Sequence, residues 1–320
     1  MSTETPCSLQ TKSSGENIIC SVAKLHAQIA IELKEPWASI PMKSEYYPEE
    51  LQSLLPEIGR LKLEVGLNYF AKNELSIHNH TRIFIFKNNG NEFEDFHKIE
   101  LLFSNENLKS IIPQILEYLK SNINNFKKEN IIDSQNTKEL FICVHGERDH
   151  CCGKYGIELH NNFHKKVGQY KNSSFRVWKS SHIGGHRYAP TFYEAPAMRW
   201  YGLFNINDID DYLNRSDSKF QIKNNYRGMS GILNKYALLA ENELFKKHSW
   251  QWLEATEKKY EIININKNEE VEVNFYYKMK KSENILKSKI HIQFEKVAEN
   301  IASCGSIDKK SVRQYIVSEI

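Results

Sequence analysis

The sequence has no run approaching the ~18 consecutive apolar residues of a membrane-spanning helix, and no surplus of charge of either sign. Its 43 basic and 40 acidic side chains leave a net +3 over 320 residues, too weak a field to hold nucleic acid or an anionic membrane surface. Residues 1–15 are polar and lack the apolar centre of a signal peptide, so the expected location is the cytoplasm. Cysteine is scarce: Cys7, Cys20, Cys143, Cys151, Cys152 and Cys304 are too few for a disulfide scaffold in a chain this long. Their clustering favours metal or redox use in a reducing compartment, with Cys7, Cys20 and Cys304 read as plain thiols. No internal repeat is visible, and no low-complexity tract beyond a richness in Asn and Lys.

What is present is an α/β pattern at 40% apolar content, enough for one or two domains. Residues 26–33 alternate as a strand and stop at Glu35-Pro36-Trp37. Residues 48–60 space Leu51, Leu54, Leu55 and Ile58 as a helix. Residues 81–87 and 95–104 flank Asn88-Asn-Gly-Asn91, which predicts a hairpin. Residues 107–122 carry a helical stripe, and the polar run 121–138 reads as a linker. A strand at 140–144, a helix at 153–170, a strand at 175–179, a hairpin around Ala195-Pro-Ala197 and a helix at 207–214 follow. That order is that of a thioredoxin-like core. Residues 231–257 read as two helical segments, and 271–280 with 287–294 as two strands. The expected division is an N-terminal α/β region (1–137), a thioredoxin-like domain carrying the candidate ligands (138–228) and a C-terminal helical and β extension (229–320).

Four residues carry the chemistry. Cys143 follows a predicted strand, and Cys152 precedes Gly153 at a helix start, where the dipole and backbone N–H groups favour a thiolate. His182 and His186 flank Ile183-Gly184-Gly185, and the two glycines predict a loop that lets backbone approach a cofactor closely. Two thiolates and two imidazoles suit a 2Fe-2S cluster or zinc. His160 and His164 are also four apart, but no Glu of a zinc-protease motif lies between them, and they read as solvated surface residues. His145 reads as a hydrogen-bonding neighbour, and Cys151 as a spare thiol or a group behind the ligands. Arg148 and Arg187 flank the ligand loops and read equally as groups that bond cluster sulfurs or meet an acidic partner and as exposed loop arginines with no role. Trp178, Tyr188, Trp200 and Tyr201 are expected to pack in the core of a sheet.

The stretch Cys143-Val-His-Gly-x-Arg-Asp-x-x-Cys-Gly153, followed by Val177-Trp-x-Ser-Ser-His-x-Gly-Gly-His-Arg-Tyr-Ala-Pro190 and Trp200-Tyr-Gly202, resembles the sucrase/ferredoxin-like family. The similarity extends to Pro6-Cys-Ser8, Gly15-Glu16, Ile31-Glu-x-x-x-Pro-Trp37, Tyr226-Arg-Gly228 and Gln314-Tyr315; Cys20-Ser-Val22 departs from it. The resemblance implies a 2Fe-2S cluster with Cys143 and Cys152 on one iron and His182 and His186 on the other. The implied function is one-electron transfer with an unidentified reductase or acceptor protein. Imidazole ligation raises the potential above roughly −400 mV and allows proton coupling. No carboxylate pair supports glycoside hydrolysis. The rival readings are a structural Cys2His2 zinc scaffold and a thiol oxidoreductase using Cys151 and Cys152.

Overall fold

The structure is a computed structural model and describes residues 5–121, 123–170, 174–215, 224–266 and 270–320; Asn122, the last residue of one predicted helix, lies outside them. The helices are α1 (Cys7–Ser13), α2 (Leu54–Arg60), α3 (Ile111–Ser121), α4 (Ile157–Gln169), α5 (Ile209–Asn214) and α6 (Lys235–His248). The first seven strands are β1 (Ala27–Glu32), β2 (Val65–Phe70), β3 (His80–Lys87), β4 (His97–Ser104), β5 (Ile131–Ile132), β6 (Lys138–Cys143) and β7 (Phe175–Ser180). They are followed by β8 (Phe192–Ala195), β9 (Arg199–Tyr201), β10 (Tyr226–Met229), β11 (Thr256–Ile265), β12 (Val271–Lys278), β13 (Leu286–Ile301) and β14 (Lys309–Glu319). The chain divides into two compact units: a sheet unit of residues 24–184 and 192–198, and a terminal unit of residues 1–23, 185–191 and 199–320.

The sheet unit holds its strands in the order β8-β6-β7-β2-β1-β3-β4-β5. Side chains alternate across the sheet as strand geometry requires. Ile29, Ile31, Ile83, Ile85 and Leu101 face α2 and α3, meeting Leu54, Ile58, Ile111 and Ile115. On the other face Phe70, Phe84, Phe86, Phe141, Trp178 and Tyr193 pack with ring centroids 4.9 to 6.4 Å apart. Arg176 of β7 reaches Glu100 of β4 at 2.5 Å although three strands lie between them, so the sheet curls around this aromatic face. Glu139 joins the same network, accepting from Arg176 and Lys98 at 2.5 Å and from Trp178 Nε1 at 2.7 Å, while Arg82 bonds Glu100. Arg82, Lys98, Glu100 and Glu139 are buried and Arg176 is half-buried, and such networks are tolerable only when every member is paired.

The backbone contains a repeat that the sequence does not show. The runs β1-α2-β2-β3 and β6-α4-β7-β8 each pair their first two strands in parallel and set the third antiparallel to the first. This is the thioredoxin-like arrangement, present twice. The copies join edge to edge through β2 and β7, with Phe70 opposite Ser180. Those residues are equivalent: Phe70 closes the β1 ladder opposite Glu32, and Ser180 closes the β6 ladder opposite Cys143. The junction is reciprocal, Ala71 N–H donating to Lys179 O (2.9 Å) and Ser181 N–H to Tyr69 O (2.7 Å), as a two-fold relation between copies demands. Leu33 N–H to Phe70 O and Val144 N–H to Ser180 O, at 2.8 and 2.9 Å, repeat the match.

In the terminal unit β9 pairs with β10, and β11-β12-β13-β14 form an antiparallel sheet. Helix α6 is capped by Asn234 Oδ1, which accepts from the N–H groups of Tyr236 and Ala237. Buried Arg199 is held by Tyr226 OH (2.7 Å) and Glu241 (2.9 Å). The predicted helix at 48–60 is helical only from Leu54, after a short 3-10 turn at Glu49–Leu51. The second helical segment expected before 257 is a 3-10 turn (Ser249–Glu254) that leads into β11.

Candidate metal centre

Strand β6 ends on Cys143, and parallel β7 ends beside it on Ser180, so the two ligand loops leave the same edge of the sheet. The return from Cys143 is tight. Cys152 opens a π-helical turn, Cys152–Gly156, that runs into α4. A Cβ on Gly156 would stand 1.8 Å from the Cys143 carbonyl oxygen, and one on Gly153 would stand 2.7 Å from Gly146 Cα. Glycine at both places lets the helix start press against the strand end, which carries the Cys152 sulfur to the Cys143 sulfur. Asp149 braces the turn, its carboxylate accepting from Cys151 N–H (2.9 Å) and its carbonyl from Gly153 N–H (3.2 Å).

Cys143 Sγ, Cys152 Sγ and one His182 ring nitrogen all lie within 4.8 Å of one another, and Cys152 Sγ is 4.0 Å from His182 Nδ1. Both sulfurs are buried at 1% exposure. The His182 loop is pinned from two sides: Ser181 Oγ accepts from Tyr69 N–H (2.9 Å), and His182 N–H donates to His145 Nδ1 (3.2 Å). His145 in turn donates through Nε2 to Ala38 O (3.0 Å) and packs edge-on against Trp37. His145 is thus a hydrogen-bonding neighbour that orients the loop. The hydrogen bond from Cys152 holds the Cys143 thiol well below its ordinary pKa, against the upward push of burial, with His182 adding to the lowering. The hydrogen bond with Cys143 and burial push the Cys152 thiol well above its ordinary pKa.

His186 belongs to the terminal unit, where Gly185 at φ +78° leads into a short turn. Its Nε2 lies 2.6 Å from Ala302 O. A carbonyl only accepts, so Nε2 is the donor in this contact.

Several neighbours differ from their sequence reading. Arg187 is buried and paired with Glu16 at 2.8 and 2.5 Å, with Tyr188 OH and Asn300 on the same carboxylate, so its charge is spent inside the terminal unit. His160 is buried at 8% exposure, stacked on exposed His164, and not a solvated residue. The Cys151 sulfur lies within 4.8 Å of an Asp149 carboxylate oxygen. Cys7 and Cys304, read as plain thiols, have sulfurs 3.3 Å apart; a sequence separation of 297 hides that pairing. Trp178, Tyr188, Trp200 and Tyr201 are all buried packing residues, as expected.

The sequence model of a family described as sucrase/ferredoxin-like matches residues 18–228, more than half of the chain. The chain belongs to the sucrase/ferredoxin-like family. All four candidate ligands of this sucrase/ferredoxin-like chain fall in the matched segment, while α6 and β11 to β14 lie beyond it. None of the curated proteins compared with it matches. Among solved structures, a thioredoxin-like [2Fe-2S] ferredoxin from Aquifex aeolicus is 16% identical, covering 28% of this chain and 90% of its own at a TM-score of 0.25. A cysteine-to-serine variant of that ferredoxin is 16% identical, covering 28% and 96% at a TM-score of 0.24.

Proposed function

We propose that Cys143, Cys152, His182 and His186 hold a 2Fe-2S cluster and that the chain passes single electrons between protein partners. The carrying observation is the convergence of two thiols and an imidazole where β6 and β7 end, inside the family segment. His186 follows His182 by one Ile-Gly-Gly step, so one short loop supplies both imidazoles. The donor set fits: two imidazoles in place of two thiolates is an established iron-sulfur ligation. When bound, the cluster supplies one-electron oxidation and reduction at a potential raised by imidazole ligation.

The rest of the work falls to the chain. Both sulfurs bind as thiolates, so loading releases acid. His145 and Ser181 fix the His182 loop. Ala302 retains the Nε2 proton of His186 and with it the ring tautomer; proton coupling at that nitrogen belongs to the same proposal, and a midpoint potential constant from mildly acidic to alkaline pH removes it. The electron donor or acceptor is an unidentified protein, and the setting is the cytoplasm. Among the described residues no helix is long and apolar enough to cross a membrane.

One observation favours a second reading. The 4.0 Å spacing of Cys152 Sγ and His182 Nδ1 is close to that of two ligands on a single ion, as a structural zinc would draw them together. Anaerobic purification with iron, sulfide and zinc assays and spectra before and after dithionite decides between the readings. About two irons and two sulfides with a visible band that bleaches supports the cluster. A colourless zinc protein that iron reconstitution does not change overturns it.

A further inference from the structure

Helix α1 and the turn from β13 to β14 meet inside the terminal unit, and hydrogen bonds fix both. On the α1 side, Asn300 Nδ2 of β13 donates to Ser14 Oγ (3.0 Å) and to Glu16 (2.6 Å), and Asn17 N–H donates to Gln314 Oε1 of β14 (2.7 Å). The turn is closed by Ala302 N–H to Asp308 O (2.8 Å) and Ser306 N–H to Ser303 O (3.2 Å). Between these anchored segments, Cys7 of α1 and Cys304 of the turn hold their sulfurs 3.3 Å apart. A disulfide bond is about 2.05 Å long, so bonding asks for an approach of only about 1 Å.

The two thiols are unequally reachable. Cys7 is 1% exposed, whereas Cys304 is half-buried. Beside Cys304 the turn is open: a Cβ on Gly305 would meet nothing within 4 Å, and Ile307 is 95% exposed. A small reagent therefore meets Cys304 first. The third cysteine of the terminal unit, Cys20, is exposed, with its sulfur 3.6 Å from Lys235 O, and serves as an internal control.

We propose that Cys7 and Cys304 are a reversible dithiol–disulfide pair, oxidised by a low-molecular-weight disulfide of the glutathione class, with Cys304 as the entry thiol and Cys7 as the closing one. The Cys304 sulfur attacks one sulfur of the small disulfide and breaks its S–S bond; the first small thiolate leaves and takes the Cys304 proton. The Cys7 sulfur then attacks Cys304 Sγ, forming the internal bond and expelling the second small thiolate, which takes the Cys7 proton. Two electrons pass from the protein thiols to the small disulfide, which becomes two thiols. In a reducing compartment such a bond is transient and responsive, not a scaffold. Because it closes a separation of 297 residues, it restricts the unfolded chain and raises the melting temperature.

The test is anaerobic incubation of the full-length protein, as purified, in buffers of stepped oxidised-to-reduced glutathione ratio, followed by alkylation and peptide mapping without reduction. The expected result is a peptide joining residues 7 and 304 that grows with the ratio and disappears in excess reduced glutathione, while Cys20 takes up glutathione without joining another residue. Cys7→Ser should trap glutathione on Cys304, Cys304→Ser should leave Cys7 unmodified, and the rise in melting temperature on oxidation should vanish in both, with circular dichroism confirming the fold. Ala302, two residues before Cys304, accepts from His186 Nε2 at 2.6 Å, so iron and zinc are assayed on the same samples. The pair should oxidise with metal content unchanged, whichever metal is bound. No 7–304 link at any ratio, a link from either residue to a different cysteine, or a link found only in protein that has lost its metal would each overturn the proposal.

Discussion

At the scale of single residues, the candidate ligands stand out in the sequence, while Gly156, which lets Cys152 approach Cys143, does not. Cys143, Cys152, His182 and His186 announce themselves because few other roles call for thiols and imidazoles at the ends of predicted strands. Gly156 looks like an ordinary helix glycine, and only the fold shows that its missing side chain is occupied by the Cys143 carbonyl. Gly156→Ala should therefore act as overpacking, costing roughly 1–3 kcal/mol and lowering metal content by displacing Cys152 from Cys143. Gly168→Ala in the same helix meets nothing within 4 Å and should be neutral or stabilising by up to ~1 kcal/mol. Paired melting curves and metal assays check this, and equal behaviour of the two variants would show that the close approach does not matter. Glu16 and Ala302 were not readable as supports for Arg187 and His186, since both contacts join residues far apart in sequence.

At the scale of elements, strong periodicity or turn chemistry predicted well. Asn-Gly placed the β3–β4 hairpin, and the Ile and Leu stripe placed α3, with Pro113 in its first turn. Strand β2 escaped because Gly66 and Asn68 interrupt its pattern; Gly66 is there because a Cβ would strike the Gln28 side chain. Strand β14 escaped because, lying at the edge of its sheet, it is largely charged and polar. Helix α4 makes a prediction of its own through His160. Burial lowers its pKa to about 4, opposed by its bond to Asn161 and assisted by Lys179 and His164. A histidine held neutral in the fold but protonated when unfolded leaves the protein at full strength above the unfolded pKa near 6.5, and costs stability as pH falls toward 4. The loss over that window is on the order of 3 kcal/mol. Denaturant titrations at pH 7 and pH 4.5 should show a drop that His160→Leu flattens; an unchanged slope in the variant would remove His160 as the cause.

At the scale of the whole molecule, the two structural repeats differ at the positions of the candidate ligands, although no repeat is visible in the sequence. The copies share backbone and register while their side chains differ: Glu32 occupies the place of Cys143, and Lys72, two residues past Phe70, that of His182. A fold can be kept by strand pairing and buried alternation alone, so a repeat can lose every identity while its hydrogen bonds persist. Neither Glu32 nor Lys72 can replace the ligand it stands for. The Glu32 carboxylate is engaged by Ser76 and by Arg82 N–H, and an ammonium repels a cation. The β2–β7 junction also consumes the edge of each copy, which leaves that edge closed to a further strand. The expectation is one metal centre per chain, about two irons for a 2Fe-2S centre and not four. Replacing both cysteines of the second copy, as Cys143→Ser/Cys152→Ser, should remove all bound metal while the protein stays folded by circular dichroism. Metal retained near half the wild-type content in that folded variant would place a second centre elsewhere in the chain, and the asymmetry between the copies would then not be one of metal binding.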